Sequence, residues 1–449
     1  MQKSGVLPSF SLAERSRRSV WHPCTQMQKH ASFPIVALGR GEGAWLFDEK
    51  GTPYLDAISS WWTNLFGHAH PYINAALKEQ LDTLEHAMLA GFTHEPVVRL
   101  SERLSDMTGG VLGHCFYASD GASAVEIALK MSVHAWRNEN RPDKREFVCL
   151  RGSYHGETIG ALSVTDVPLF RQEYEALLRA VHIVPAPDTR GESKKASLPK
   201  GTDEALQVVE ALFSSRADHI AALIIEPLVQ CAAGFVMHEP LYVRGLRQLC
   251  DRFHVHLIAD EIAVGCGRTG TFFACEQAGI WPDFMCLSKG ISGGYLPLSL
   301  VMTRDEIYSL FYDESLYRGF LHSHSYTGNP LACRAALATL DLFDRERILE
   351  KNRRTAQVLT DALDAVRAHE HVRHFRCRGM IWAFEVDLPE PDEAARFPQH
   401  FFAAALRQGL LLRPIGNTVY LLPPYVVAER EIDMLAERLP RVLKEVLAA

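Results

Sequence analysis

Two short apolar runs in the middle of the chain each end on a charge that the run cannot solvate. Leu257-Ile258-Ala259 leads into Asp260-Glu261, and Phe284-Met285-Cys286-Leu287 leads into Ser288-Lys289. Continuous apolar runs this short predict strands buried on both faces, as in a parallel or mixed sheet flanked by helices. Phe147-Val148-Cys149-Leu150 and Ala222-Leu223-Ile224-Ile225 repeat the pattern, and amphipathic stretches such as Tyr242 to Phe253 lie between as helices. The alternation is that of an α/β fold. Chemistry in such sheets gathers at the carboxyl ends of the strands, where Asp260 and Lys289 fall. A charge at a buried strand end must be paired or used.

The rest of the chain narrows the function. Forty-seven Lys and Arg against 54 Asp and Glu give a net charge of −7, unlike the basic face of a nucleic-acid binder or a polybasic membrane binder. No apolar run approaches the roughly 20 residues of a membrane span, and Met1 to Arg18 carries no secretory pattern. Ten cysteines without a CxxC pair fit reduced thiols and a cytoplasmic location. His322-Ser323-His324 is the densest histidine cluster, but no matching ligand set accompanies it, so no metal is expected. Asp188 to Asp203 reads as a polar loop, and Pro389 to Pro398 as a connector. Pro330 to about Ala368 reads as a long helical stretch. Beyond it, Gly379 to Val386 alternates as a strand and opens a smaller α+β unit. Trp45 to Asp48 and Tyr54 to Asp56 read as a hairpin turning at Glu49-Lys50-Gly51, packed with that unit.

An isolated Asp or Lys at a strand end is often a structural salt bridge. The chemical alternative is a pyridoxal phosphate (PLP) site: a Schiff-base lysine, and an acid that keeps the pyridine nitrogen protonated. Such a site needs a phosphate cradle. Ser119-Asp120-Gly121-Ala122-Ser123 precedes a helix beginning at Ala124, where N–H groups and the helix dipole attract phosphate, although a simple N-cap explains the same residues. Tyr154 offers a ring to cover the cofactor. Gly265-Cys266-Gly267-Arg268-Thr269-Gly270 matches GxGxxG, but Thr271-Phe272-Phe273 follows instead of a helix, and the next strand ends at Lys289. Dinucleotide binding is therefore not expected.

At these residues the chain closely resembles the class III, PLP-dependent aminotransferases of fold type I, from about Val20 to Val442. The signature runs from Leu257-Ile258-Ala259-Asp260-Glu261 through Gly267-Arg268-Thr269-Gly270 to Leu287-Ser288-Lys289-Gly290, and includes Ser325-Tyr326-Thr327-Gly328-Asn329-Pro330. The resemblance implies a large domain (71–335) with a mixed, mostly parallel seven-stranded sheet between helices. It also implies a small α+β domain from both termini (1–70 and 336–449). Trp21-His22-Pro23, Ser59-Ser60-Trp61-Trp62, Leu412-Arg413-Pro414 and Tyr420-Leu421-Leu422-Pro423-Pro424-Tyr425 resemble the branch serving biotin biosynthesis. That implies transamination of 8-amino-7-oxononanoate to 7,8-diaminononanoate, with S-adenosylmethionine as amino donor. The alternative is another class III ω-aminotransferase, acting on a diamine or ω-amino acid.

Carried over residue by residue, the resemblance makes Lys289, Asp260 and Tyr154 catalytic. Lys289 bonds the cofactor and moves the proton, and Asp260 pairs with the pyridinium. Ile262 and Tyr154 cover the two ring faces, and Asp120, Gly121 and Ala122 hold the phosphate. Ser325, with His324 beside it, reaches the partner subunit's cofactor, which implies a homodimer with shared sites. Substrate would meet Trp61, Trp62, Tyr154, Lys289 and Ser323, with Arg413 gripping its carboxylate through a two-pronged contact. Three positions depart from the class. Cys24 stands where Trp-His-Pro is usually followed by Tyr, so the donor stays open between S-adenosylmethionine and lysine. Ala122 replaces a usual Ser, and Ser323 a common Gly.

Overall fold

The computed structural model describes residues 10–31, 33, 35–187, 190, 200–388 and 390–448. Seven strands form its main sheet: β1 (His114–Ala118), β2 (Glu146–Leu150), β3 (His182–Val184), β4 (Ile220–Ile225), β5 (His256–Asp260), β6 (Phe284–Leu287) and β7 (Ser299–Thr303). Their order is β1-β7-β6-β5-β4-β2-β3. Only β7 runs antiparallel to its neighbours. The expected mixed, mostly parallel sheet is present.

The apolar runs are continuous because both faces of the sheet are covered. Val148, Leu223, Leu257, Ala259, Met285 and Leu287 enter one core cluster. The alternate residues Cys149, Ile224, Ile258, Phe284 and Cys286 enter the other. This is the period of two of a strand, applied to two apolar layers. Each fully buried large side chain contributes about 1.5–3 kcal/mol of transfer free energy. The helices Gly121–Asn138, Lys200–Arg216 and Pro240–Phe253 connect successive strands, and Tyr242, Leu246 and Cys250 bury one stripe of the third.

Smaller sheets join the two ends of the chain. Trp45–Asp48 pairs antiparallel with Pro53–Asp56, as the hairpin pattern predicts. Leu410–Leu411 then pairs parallel with Leu55 and Asp56. Ile381–Val386 lies between Val372–Arg378 and Thr418–Leu421.

The helical stretch expected from Pro330 is present as three helices, Pro330–Arg345, Ile348–Ala362 and Asp364–Arg367, the first parted from the second where Arg347 turns left-handed at φ 50°. One local expectation fails. The connector at Pro389 to Pro398 is largely the start of helix Pro391–Arg407. Its Pro391 stands in the first turn, where no N–H is needed, and Asp392 and Glu393 suit the positive helix end. Of the polar loop at Asp188 to Asp203, residues 200–203 open a helix, and most of the remainder lies outside the described residues. The GxGxxG stretch forms turns, and the helix that follows is only the short Cys275–Ala278. Within the stretch, Arg268 is buried and donates to Pro423 O at 2.8 Å and Asn64 O at 3.2 Å.

Candidate active site

The register of β5 and β6 creates the centre of the site. Asp260 sits opposite Cys286, so Lys289 emerges just beyond the neighbouring strand end. Lys289 adopts φ 46°, and its ammonium lies 4.6 Å from the Trp62 ring centroid. Burial lowers its amine below the ordinary lysine range, while the nearby Cys231, Asp260 and Glu226 oppose the shift. A buried lysine gives up its proton more readily, as a nucleophile or base requires. Asp260 is 4% exposed. Its Oδ2 is 2.7 Å from His155 Nδ1, and its Oδ1 accepts from Ile262 N at 3.1 Å. His155 Nε2 is buried without a partner among the described residues.

A helix entrance faces this centre. Asp120 caps Gly121–Asn138, accepting from Ser123 N at 3.0 Å and Ser123 Oγ at 2.9 Å. Its carbonyl accepts from Ser299 Oγ at 2.6 Å. Ser123 is therefore committed to the cap. The first N–H groups of a helix have no intrahelical acceptor, which leaves the entrance suited to an anion. A Cβ at Gly121 would stand 3.0 Å from Ile262 Cδ1, so Ile262 packs down over the entrance. Gly156 holds φ 125°, and a Cβ there would come within 2.5 Å of Ala122 Cβ. The loop bearing Tyr154 and His155 thus lies directly on the helix start.

Tyr154 joins the inner site to its mouth. Its N–H donates to Glu226 Oε2 at 3.0 Å and its hydroxyl to Glu157 Oε1 at 2.8 Å. Burial, then the bond to Glu157, raises its phenol. Glu226 is buried and also accepts from Cys231 N at 3.1 Å. Burial pushes its carboxyl up to about 7, with His155 opposing and Asp260 adding to the shift. Desolvation and then the Glu157 carboxylate raise the Cys24 thiol, and Arg413 opposes them. Arg413 donates to Cys24 O at 2.7 Å and stands 4.9 Å from the Trp61 ring. It pairs with no carboxylate among the described residues, so it is not the surface ion pair that isolated arginines often form.

The two tryptophans divide their tasks. Trp61 is 46% exposed at the mouth. Trp62 is buried against Phe235 and Tyr420, at ring distances of 5.5 and 6.0 Å. They sit on a turn in which Ser59 to Trp62 all hold positive φ, a conformation costing non-glycine residues about 1–2 kcal/mol each.

The structure brings together Lys289, Asp260, Ile262, Tyr154, Trp61, Trp62, Arg413 and the helix entrance at Asp120, Gly121 and Ala122. Ser323, His324 and Ser325 stand apart. His324 Nε2 is 3.2 Å from His322 Nε2, and His322 Nδ1 is 2.8 Å from Lys130 Nζ. Ser323 and Ser325 are exposed. His155, Glu157 and Glu226 were not singled out from the sequence. Only their nearness to Tyr154, or to the end of β4, hinted at them.

Glu261, beside Asp260, plays a different part. It is 1% exposed and accepts from Ala274 N and Cys275 N, both at 2.8 Å. Burial raises its carboxyl from 4.5 to about 7. The folded chain therefore keeps a proton that the unfolded chain loses above 4.5. This contribution to stability is complete below pH 4.5 and is lost as pH rises through 7. Urea unfolding at pH 5 and pH 8 should show Glu261→Gln gaining on the wild type at the higher pH. An equal difference at both would refute the assignment.

The donor set fits pyridoxal phosphate: a lysine whose amine is depressed, an acid at the adjoining strand end, apolar and aromatic walls at Ile262 and Tyr154, and a helix entrance with no Cβ at Gly121. The comparisons agree in class. The aminotransferase class-III profile matches residues 26–443, and the chain belongs to that family. It is 44% identical to the adenosylmethionine-8-amino-7-oxononanoate aminotransferase of Helicobacter pylori, over 97% of this chain and 98% of that one. The crystal structure of the enzyme of the same name from Methanocaldococcus jannaschii superimposes with a TM-score of 0.90 at 34% identity, covering 97% and 98% of the two chains. An amine transaminase from an uncultivated Pseudomonas species, solved in its PLP-bound form, gives 0.87 at 30% identity, covering 96% and 98%. The fold is that of the fold type I enzymes, as the resemblance implied.

Proposed function

We propose that this aminotransferase binds pyridoxal phosphate and aminates 8-amino-7-oxononanoate to 7,8-diaminononanoate, with S-adenosylmethionine as amino donor, in biotin biosynthesis. The observation that carries the substrate reading is Arg413, held at the mouth by Cys24 O and Trp61 with no carboxylate partner among the described residues. It would grip the terminal carboxylate of an acceptor whose apolar chain runs along the indoles. The names of the relatives support the acceptor and the donor.

When bound, pyridoxal phosphate supplies an electron sink for the substrate's amino carbon. The chain's own residues do the rest. Lys289, its amine pKa lowered by burial, would hold the cofactor, and its Nζ would take and return the proton at the substrate's amino carbon. Asp260, oriented by His155 and Ile262 N, would pair with the ring nitrogen and keep it protonated. The helix entrance at Asp120, Gly121 and Ala122 would hold the phosphate. Ile262 and Tyr154 would cover the ring and exclude water.

We also propose a cytoplasmic homodimer in which His324 and Ser325 serve the partner's site. Large apolar side chains left exposed near that loop support it: Tyr317, Leu316 and Leu321 are 91%, 74% and 78% exposed, more than a monomer ordinarily leaves in one stretch. The domain division at 1–70, 71–335 and 336–449 is proposed on the pairing of Leu410–Leu411 with Leu55–Asp56.

Half-reactions followed by visible absorbance test the function. S-adenosylmethionine should bleach the yellow enzyme and 8-amino-7-oxononanoate should restore the colour. Bleaching by lysine alone would change the donor, and bleaching by neither would favour another ω-aminotransferase. Arg413→Ala should raise the KM for the oxononanoate by about 10- to 100-fold, the scale of a charge-assisted hydrogen-bond pair. Equal losses in both half-reactions would argue against carboxylate recognition.

A further inference from the structure

Ser59, Ser60, Trp61 and Trp62 have φ of 51°, 45°, 72° and 75°. Ser60 and Trp61 have ψ of 55° and 43°, close to the left-handed helical values. Trp62 N donates to Ile58 O at 2.9 Å and Thr63 N to Ser59 O at 3.0 Å. This is one left-handed turn built without glycine. L-residues enter this region singly, not in runs. Strain of this kind persists only where the surroundings over-determine it.

Here the restraint is identifiable. Asp56 is wholly buried at the end of the strand Pro53–Asp56. Its Oδ1 accepts from Ser60 N at 2.9 Å, and its Oδ2 from Ser60 Oγ at 2.7 Å. His68 Nε2 lies 2.9 Å from the same Oδ2, and Asn64 Nδ2 is 3.2 Å from His68 Nδ1. On the other side, Ser59 Oγ donates to Leu422 O at 2.6 Å. Both serines of the turn are thus tied down by buried acceptors. The two residues that follow them face the chemistry: Trp61 lies on the Arg413 guanidinium and Trp62 on the Lys289 ammonium.

We propose that Asp56, braced by His68, is a positioning residue for the reaction: it holds the left-handed turn that sets Trp61 against Arg413 and Trp62 against Lys289. Asp56 touches neither group itself. The inference rests on reading Arg413 as the carboxylate site. It predicts that relieving the backbone strain will compensate for loss of the clamp, which a general contribution of Asp56 to stability would not do.

The test uses the holoenzyme as wild type, Asp56→Asn, and Asp56→Asn with Ser60→Gly. Asparagine keeps the shape, but its one carbonyl oxygen can face either Ser60 N or the Ser60 hydroxyl and His68, and its NH2 cannot accept on the other side. Glycine occupies positive φ without the steric cost. Two readouts are taken. The first is amide hydrogen exchange over residues 58–66. The second is the Kd of nonanoate, a nine-carbon carboxylate without the reacting groups, by calorimetry. Asp56→Asn should speed exchange and weaken nonanoate by about tenfold each, the scale of one lost hydrogen bond to a charged group. Ser60→Gly in that background should restore most of both.

Unchanged exchange in Asp56→Asn would overturn the clamp. Faster exchange with unchanged nonanoate affinity would overturn its role in positioning, and so would losses that glycine does not recover. If nonanoate does not bind the wild type, the reading of Arg413 has failed, and the clamp stands or falls on exchange and its rescue alone. Should Asp56→Asn not fold, His68→Ala is put through the same readouts with the same expected directions and the same overturning outcomes.

Discussion

Lys289→Ala is expected to lose turnover by about a thousandfold or more, the scale on which removing a covalent catalyst that also transfers the proton reduces rate. The visible band of the lysine-bonded cofactor should disappear with it. The residue stands where the two duties coincide. Its strand end places it beside Asp260, its amine is depressed by burial, and it faces the Trp62 ring rather than a carboxylate. A structural lysine at a strand end would show the reverse: an ion pair within reach and a raised pKa. Steady-state rates together with absorbance spectra decide between them. A variant keeping more than about a tenth of wild-type turnover would remove Lys289 from the centre of the reaction, whatever happened to the spectrum.

The centre was legible because burial on both faces leaves a mark that composition cannot hide. Val148, Ile224, Ile258 and Met285 all lie in runs with no polar interruption, so β2, β4, β5 and β6 stand out, together with the charges that end two of them. The three unread strands lack that mark. β3 is only three residues long and lies at the sheet edge. β1, His114–Ala118, opens on a histidine, and β7, Ser299–Thr303, begins and ends on hydroxyls. The helix beginning at Pro391 was hidden by residues that suit a first turn but read as breakers in isolation. In the site, His155 meets Asp260 across a long sequence separation, and nothing local in Ser153-Tyr154-His155-Gly156 announces the partner. Glu157 and Glu226 are likewise assembled by tertiary packing. The left-handed turn is the least legible feature. Ser-Ser-Trp-Trp has no glycine to signal positive φ, and the acceptors that hold it, Asp56 and Leu422, come from opposite ends of the chain.

Asp260→Asn tests the other half of the centre. Asparagine preserves size and can still accept from Ile262 N, but it removes the negative charge. If Asp260 existed only to pair with His155, the loss would fall on stability, and the bound cofactor would keep its spectrum and its chemistry. If the carboxylate faces the ring nitrogen, the protein should stay folded and retain cofactor through Lys289 and the helix entrance, while turnover collapses. Removing a buried aspartate that holds a cationic ring in its working state costs about ten-thousandfold in a serine protease triad, and a drop of about a hundred- to ten-thousandfold is expected here. His155→Gln serves as the control. It leaves the charge in place and loosens only its orientation, so its loss should be the smaller of the two. Melting temperature, cofactor content and single-turnover rate measured on the same preparations separate the cases. A large fall in melting temperature with turnover per folded molecule intact would make Asp260 a structural partner of His155. Intact folding and cofactor content with lost turnover would place the carboxylate on the cofactor.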